Sequence, residues 1–291
     1  MHKKLAFVLG GGGARGALQV GALRALLEAG YVPDILVGTS IGAANAAFLA
    51  LRGAQPGSIP EMVKAWRDAS FADLLPANYL WLTVRSLFNR ASQHTYHRLR
   101  DFFVSHGVNP DLRFGDIQGV KLYTVAADLN SGRPLIFGSD PQESVLDGVL
   151  ASTALPPWVA PVPRDGQQLV DGGFVSNLPI EPALAQQVTE IIALDLWDPR
   201  AVALESQRFG SFLEKAIGAV NQRQTELELA LAAGCGVPVR YINLRGKEAL
   251  PLWDFTRSEE LIVAGYEATC QEIETWKPAQ KGSRWLPWGR G

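Results

Sequence analysis

The 291-residue chain predicts an α/β fold with a mainly parallel central sheet covered by helices on both faces. Three observations carry that prediction. Short apolar runs alternate with segments of helical period from the first residues onward. The strand candidates are continuous apolar runs rather than apolar–polar alternations, as expected for strands buried on both faces. No internal repeat or low-complexity linker interrupts the pattern, so one domain is expected: a core over 5–200, completed by helices and a strand from 201–291.

LAFVLG (5–10) reads as the first strand. GALQVGALRALLEAG (16–30) reads as a helix with Val20, Leu23, Leu26 and Leu27 on one face and Gly30 as its stop. DILVGT (34–39) is a second strand and SIGAANAAFLALRGA (40–54) a second helix. Later strands are expected in KLYTVAADL (121–129), PLIFG (134–138), QQLVDGG (167–173), EIIALDL (190–196) and PVRYINL (238–244). Further helices are expected over 60–69, from about 203 to 232, and over 257–276, while 71–111 reads as irregular.

With 47% hydrophobic and 19% charged residues and a formal net charge of −2, the composition is that of a soluble globular protein. So small a net charge makes no electrostatic case for a nucleic-acid partner. Cys235 and Cys270 form neither a disulfide framework nor a zinc pattern, and read as small buried hydrophobes in a reducing compartment. Lys3-Lys4 before LAFVLG imitates the start of a signal peptide. Its apolar run is too short, however, and glycines and Arg15 follow at once. No segment approaches the roughly 18 apolar residues of a membrane span. A cytoplasmic protein is expected, with peripheral membrane contact as the role open to two stretches. Residues 71–103 carry Tyr79, Trp81, Leu87 and Phe88 amid arginines, and the tail 281–291 carries two tryptophans amid basic residues. Core packing or a terminal strap is the plainer role for both, and a lipid interface also suits them.

Two loops carry candidate chemistry. Gly38-Thr39-Ser40-Ile41-Gly42 is a G-x-S-x-G arrangement between a strand and a helix, the context in which hydrolases mount a nucleophilic serine. Gly38, Gly42, Ala43 and Ala44 leave room for a strained turn and an approaching carbonyl; the plain alternative is a helix-capping serine. The second loop is GGGGARG, Gly10 to Gly16. It satisfies G-x-G-x-x-G, but the second strand ends in Val37-Gly38-Thr39-Ser40, without the acid that a ribose would require. A Walker loop fails as well, since no Gly-Lys-Ser/Thr follows. What remains is a run of backbone N–H groups at a helix start, where an oxyanion hole would lie beside a nucleophile. Arg15 is placed to tie that loop down or to meet an anionic group.

The base is not an obvious histidine. The four histidines are His2, His94, His97 and His106, so none follows residue 106, and the order serine–acid–histidine cannot be completed. A carboxylate acting directly on the serine is the alternative. Asp171, ending an apolar strand before Gly172-Gly173, is the candidate, although D-G dipeptides also mark ordinary turns.

Together GGGGARG, GTSIG and DGG resemble the patatin-like phospholipase family, whose pattern is G-G-G-x-R/K-G, then G-x-S-x-G, then D-G-A/G. The resemblance covers roughly Leu5 to Ile180. Weaker matches lie in VAADLNSG (125–132), VLASTALPPWVAPV (149–162) and SNLPI (176–180). Gly10 stands where plant patatins often have Asp, a change that many bacterial members share. The resemblance implies a three-layer α/β/α sandwich and esterase or lipid acyl-hydrolase activity without metal or cofactor. It also implies Ser40 as nucleophile, Asp171 as general base, and an oxyanion hole from Gly11, Gly12 and Gly13. Gly10, Arg15, Gly16, Gly38, Gly42, Gly172 and Gly173 would support them. The chain looks like a compact bacterial stand-alone member acting on acyl esters, phospholipids or lysophospholipids among them. The competing reading is a regulatory or binding protein that kept the fold without the catalysis. Oligomeric state is not legible.

Overall fold

The structure, a computed structural model, describes residues 3–71, 93–156, 158–201 and 209–276. The tail 281–291 and most of the aromatic stretch 71–103 lie outside the described residues. Eight strands form one sheet: β1 (Leu5–Leu9), β2 (Ile35–Thr39), β3 (Lys121–Asp128), β4 (Arg133–Phe137), β5 (Val162–Arg164), β6 (Gln167–Asp171), β7 (Glu190–Asp195) and β8 (Val239–Asn243). Hydrogen-bonded neighbours follow the path β5-β6-β3-β2-β1-β7-β8, with β4 also paired to β3. The run β3-β2-β1-β7-β8 is parallel, whereas β4 and β6 pair with β3, and β5 with β6, antiparallel.

The described helices are α1 (Ala17–Glu28), α2 (Ile41–Leu51), α3 (Ile59–Phe71), α4 (Gln93–Ser105), α5 (Val145–Ser152), α6 (Ile180–Leu184), α7 (Phe209–Gly234) and α8 (Ser258–Trp276). Side chains of a strand point alternately to opposite faces, and β1 divides its own accordingly. Phe7 and Leu9 enter the larger core beneath α1 to α5 and α8, while Ala6 and Val8 enter the smaller one beneath α6 and α7. Helices therefore cover both faces of the sheet, as expected. α2 is buried on every side from Gly42 to Ala50, which explains its alanine-rich, uncharged sequence. α1 and α8 cross at glycines. A Cβ on Gly21 would lie 1.9 Å from the Ile262 carbonyl oxygen, and one on Gly265 would lie 2.0 Å from that of Leu18.

The expectation of an irregular 71–111 region is corrected over 93–105, which is helical. Thr95, Leu99 and Phe103 are buried at four-residue spacing, while the histidines and arginines between them hide that stripe in the sequence. The cysteine expectation is corrected too: Cys235 is exposed beyond the end of α7, and Cys270 is half-buried.

Strand pairing brings the two chemical loops together. On β3, β2 takes residues 121–125 and β4 takes 124–128, so these overlapping partners must lie on opposite edges. β6, pairing with 126–128, overlaps β4 and therefore shares the edge of β2, directly beyond its carboxyl end. Thr39 faces Val125 and Asp171 faces the next residue, Ala126. An antiparallel strand thus runs head-on into the parallel one, and their ends meet at Ser40 and Asp171.

Candidate active site

Ser40 caps the start of α2 with φ 55° and ψ −126°, a backbone conformation rare for a residue with a side chain. Such a position costs on the order of 1–3 kcal/mol and persists only when its surroundings impose it. Here they do. The Ser40 N–H donates to Ser152 Oγ at 2.9 Å, and Ser152 Oγ in turn donates to the Val125 carbonyl at 2.6 Å. The turn closes only because Gly42 lies against β1: a Cβ there would come within 2.1 Å of the Leu9 carbonyl oxygen. Gly38 abuts Gly42 in the same way.

The Ser40 hydroxyl donates to Asp171 Oδ2 at 2.5 Å. Asp171 is buried, its Oδ1 accepts the Gly173 N–H at 2.8 Å, and its own N–H donates to the Ala154 carbonyl. Burial pushes its carboxyl up to about 6, although the Ser40 hydroxyl and the Gly173 N–H both favour the ionised form. Gly172 packs its Cα against the Val125 carbonyl. Neither His97 nor His106 touches the pair. His106 Nε2 lies 3.1 Å from Asp68 Oδ2 on α3, and His97 lines a separate cavity.

The glycine loop lies beside the pair, with Gly11 against Ser40. The Gly10 and Gly11 N–H groups are already committed to the Leu194 and Asn177 carbonyls, both at 3.0 Å. The N–H groups of Gly12 and Gly13 donate to none of the described residues, and those of Ile41 and Gly42 at the start of α2 are likewise open. Of the expected oxyanion donors, Gly11 is thereby occupied, while Gly12 and Gly13 have open N–H groups. A trans peptide points its C=O and N–H in opposite directions, so a held carbonyl also orients the next N–H. Asn177 Nδ2 donates to the Gly11 carbonyl at 3.4 Å and so aims the Gly12 N–H. The Arg15 N–H and Nε donate to the Gly12 carbonyl at 3.2 and 3.3 Å and so aim that of Gly13. The Arg15 charge also acts on Asp195 and Asp198. It therefore tethers the loop.

An apolar cleft opens from Ser40 and Asp171 between α2, α3 and α4. Phe48, Trp66, Phe103 and Phe255 wall it.

Residues 7–184 match the family described as patatin-like phospholipase. The chain belongs to the patatin-like phospholipase family. It is 31% identical over 195 residues to patatin-like phospholipase domain-containing protein 6 of Homo sapiens, covering 66% of this chain and 13% of that protein. Identity to the lysophospholipase nte1 of Aspergillus terreus is 30% over 203 residues, 67% of this chain and 12% of the relative. The neuropathy target esterase sws of Drosophila melanogaster is 30% identical over 202 residues, 66% of this chain and 13% of that protein. The chain thus aligns with only a small part of these relatives. Among solved structures, human GIVD cytosolic phospholipase A2 is similar at a TM-score of 0.56 and 12% identity, covering 94% of this chain and 58% of that one. That likeness concerns the fold alone.

In this patatin-like chain several supports lie outside the three motifs. Gln19, fully buried, donates from Nε2 to the carbonyls of Gly10 (2.8 Å) and Leu194 (3.3 Å). Asn45 Nδ2 donates to the Gly16 carbonyl and to Gln19 Oε1, and Trp66 Nε1 donates to Asn45 Oδ1 at 3.0 Å. This chain of amides ties the cleft wall to the glycine loop. Nothing in the sequence distinguishes Gln19 or Asn45 from any other amide on a helix. Ser152 and Asn177 stood in the weaker family matches, but without a role. No helix among the described residues is long and apolar enough to cross a membrane.

Proposed function

We propose that the chain is a serine acyl-ester hydrolase acting on lipid esters, with Ser40 and Asp171 as a catalytic dyad. The observation that carries this reading is the bond from Ser40 Oγ to a buried carboxylate, at the mouth of an apolar cleft and beside open backbone N–H groups. Ser40 Oγ attacks the ester carbonyl carbon as its proton passes to Asp171 Oδ2. The carbonyl π electrons move to oxygen, where the Gly12 and Gly13 N–H groups receive the charge. One such donor is worth about 3–4 kcal/mol in comparable hydrolases. The tetrahedral intermediate then expels the alcohol, which takes the proton from Asp171. Water attacks the acyl-enzyme, again losing its proton to Asp171, and the acid departs as Ser40 recovers its hydrogen. An exposed carboxylate is a poor base near neutrality. Desolvation of Asp171 raises its basicity toward the working pH.

The lipid substrate class is supported by the cleft, which suits a hydrocarbon chain, and by relatives named as a lysophospholipase and an esterase. Peripheral contact with a lipid surface through 71–103 or the tail 281–291 is the second role open to these stretches, beside core packing or a terminal strap. Hydrolysis of a panel of phospholipids, lysophospholipids and simple esters, with and without vesicles, tests the reading against a Ser40→Ala control. Release of fatty acid by wild type and not by the variant is expected. No release from any member, or equal release by both proteins, would favour a binding protein that retained the fold.

A further inference from the structure

The apolar cleft has a direction and an end. Ser40 begins α2, and the residues of α2 that line the cleft are Ile41, Ala44, Asn45 and Phe48, one stripe of the helix running away from the nucleophile. The opposite walls are single stripes as well. Ala65 and Ala69 on α3 are small and leave the lumen open, and Leu99 and Phe103 on α4 close its other side.

Phe48 is the last residue of α2 to line the cleft among the described residues. The Phe48 ring lies 6.0 Å from that of Phe103 and 6.4 Å from His106, and His106 lies 4.3 Å from Phe102. Polar ties from three directions fix this aromatic wall. His106 Nε2 meets Asp68 on α3, Arg52 Nη2 donates to the His106 carbonyl at 2.6 Å, and the Arg52 guanidinium lies 5.3 Å above the Phe48 ring. A wall cross-tied in this way is a poor candidate for retreating before a longer ligand.

Eight residues of helix, from Ser40 to Phe48, advance about 12 Å. With C–C bonds of about 1.5 Å in an extended zigzag, a chain of about ten carbons spans the same distance. We propose that the cleft measures a single acyl chain of medium length, about eight to twelve carbons, with Phe48 as the stop and Ala65 and Ala69 setting the bore. The proposal rests on the acyl-ester reading of Ser40 and Asp171 and adds the substrate class to it. A free carboxylic acid and an ester of that length share the apolar chemistry, and hydrolysis selects the ester.

Each methylene buried before the stop should raise kcat/KM by roughly fourfold, and each one beyond it should add nothing or reduce it. The test is a series of p-nitrophenyl esters from four to sixteen carbons, assayed below their aggregation concentrations. Wild type, Phe48→Ala, Phe48→Leu and Ala69→Phe are compared, with thermal melting to monitor folding. Wild type should peak at eight to twelve carbons, with sixteen at least tenfold lower. Phe48→Ala should move the peak to longer chains, Phe48→Leu should move it less, and Ala69→Phe should lower the ratio of ten-carbon to four-carbon rates. A wild-type profile that is flat or still rising at sixteen carbons overturns the proposal, even if every variant misfolds. So does an unmoved peak in folded Phe48 and Ala69 variants. Absence of Ser40-dependent hydrolysis at every length would instead remove the reading on which the proposal rests.

Discussion

The Ser40 hydroxyl meets the Asp171 carboxylate at 2.5 Å although 131 positions separate them in the chain. No side chain stands between the two. The pairing depends on the antiparallel arrival of β6 beyond the end of β2, which sets Asp171 one β3 residue past Thr39. Ser40→Ala should lower ester hydrolysis by about 10³-fold or more, and Asp171→Asn comparably, because members of such a unit are not independent. Initial rates on one ester check this. Substitution of His97 should leave most of the activity.

If Asp171 is the base, its carboxyl, pushed up to about 6 by burial, sets the acid side of the pH profile. The plot of kcat/KM should rise with pH through about 6 and level off above it, since only the ionised Asp171 accepts the Ser40 proton. Asp171→Asn should abolish that limb along with most of the rate.

Stability should move the other way. The folded pKa of Asp171 lies above the unfolded value of about 3.9, so between about pH 4 and pH 6 the native state binds more protons than the unfolded one. Stability contributed by this group is present below pH 4 and is lost as pH rises through 6. By the same linkage the ionised carboxylate costs up to about 3 kcal/mol at neutrality. Asp171→Asn should therefore melt higher than wild type at pH 7 to 8, with the difference shrinking toward pH 4. Melting temperatures across that range decide it.

The glycine loop is aimed by its carbonyl partners. Asn177→Ala frees the Gly11 carbonyl, and the Gly12 N–H with it. kcat should fall by about 10- to 100-fold with KM little changed, the pattern of an interaction made in the transition state. A parallel rise in KM, or a loss of melting temperature that accounts for the rate, would point to packing alone.

Gly21 tests the crossing of α1 and α8. A Cβ placed 1.9 Å from the Ile262 carbonyl oxygen must separate the two helices. Overpacking of this kind costs about 1–3 kcal/mol, so Gly21→Ala should lower the melting temperature by about 2–5 °C.

Much of this was legible in the sequence. The central strands β1, β2 and β7 are largely continuous apolar segments, and GTSIG, GGGGARG and DGG stand where expected at strand ends. The direction of β6 was not legible, because an apolar strand of five residues reads the same parallel or antiparallel. α5 escaped because Gly148 interrupts its eight residues, a glycine whose added Cβ would meet Thr124 Oγ1 at 2.8 Å. α4 escaped because charged residues surround its three buried positions. The Gln19–Asn45–Trp66 chain has no signature at all, since two amides on different helices become partners only after the fold is built. That Gly11 is held by Asn177 is again a tertiary fact, invisible in a row of four glycines.

The most direct measurement is peptide mapping after reaction with an alkyl fluorophosphonate, which forms a stable bond to an activated serine oxygen. One adduct per chain is predicted, on the peptide carrying Ser40, abolished by Ser40→Ala and strongly slowed by Asp171→Asn. Labelling of another residue, or labelling of Ser40 at an undiminished rate in Asp171→Asn, would contradict a nucleophile activated by Asp171.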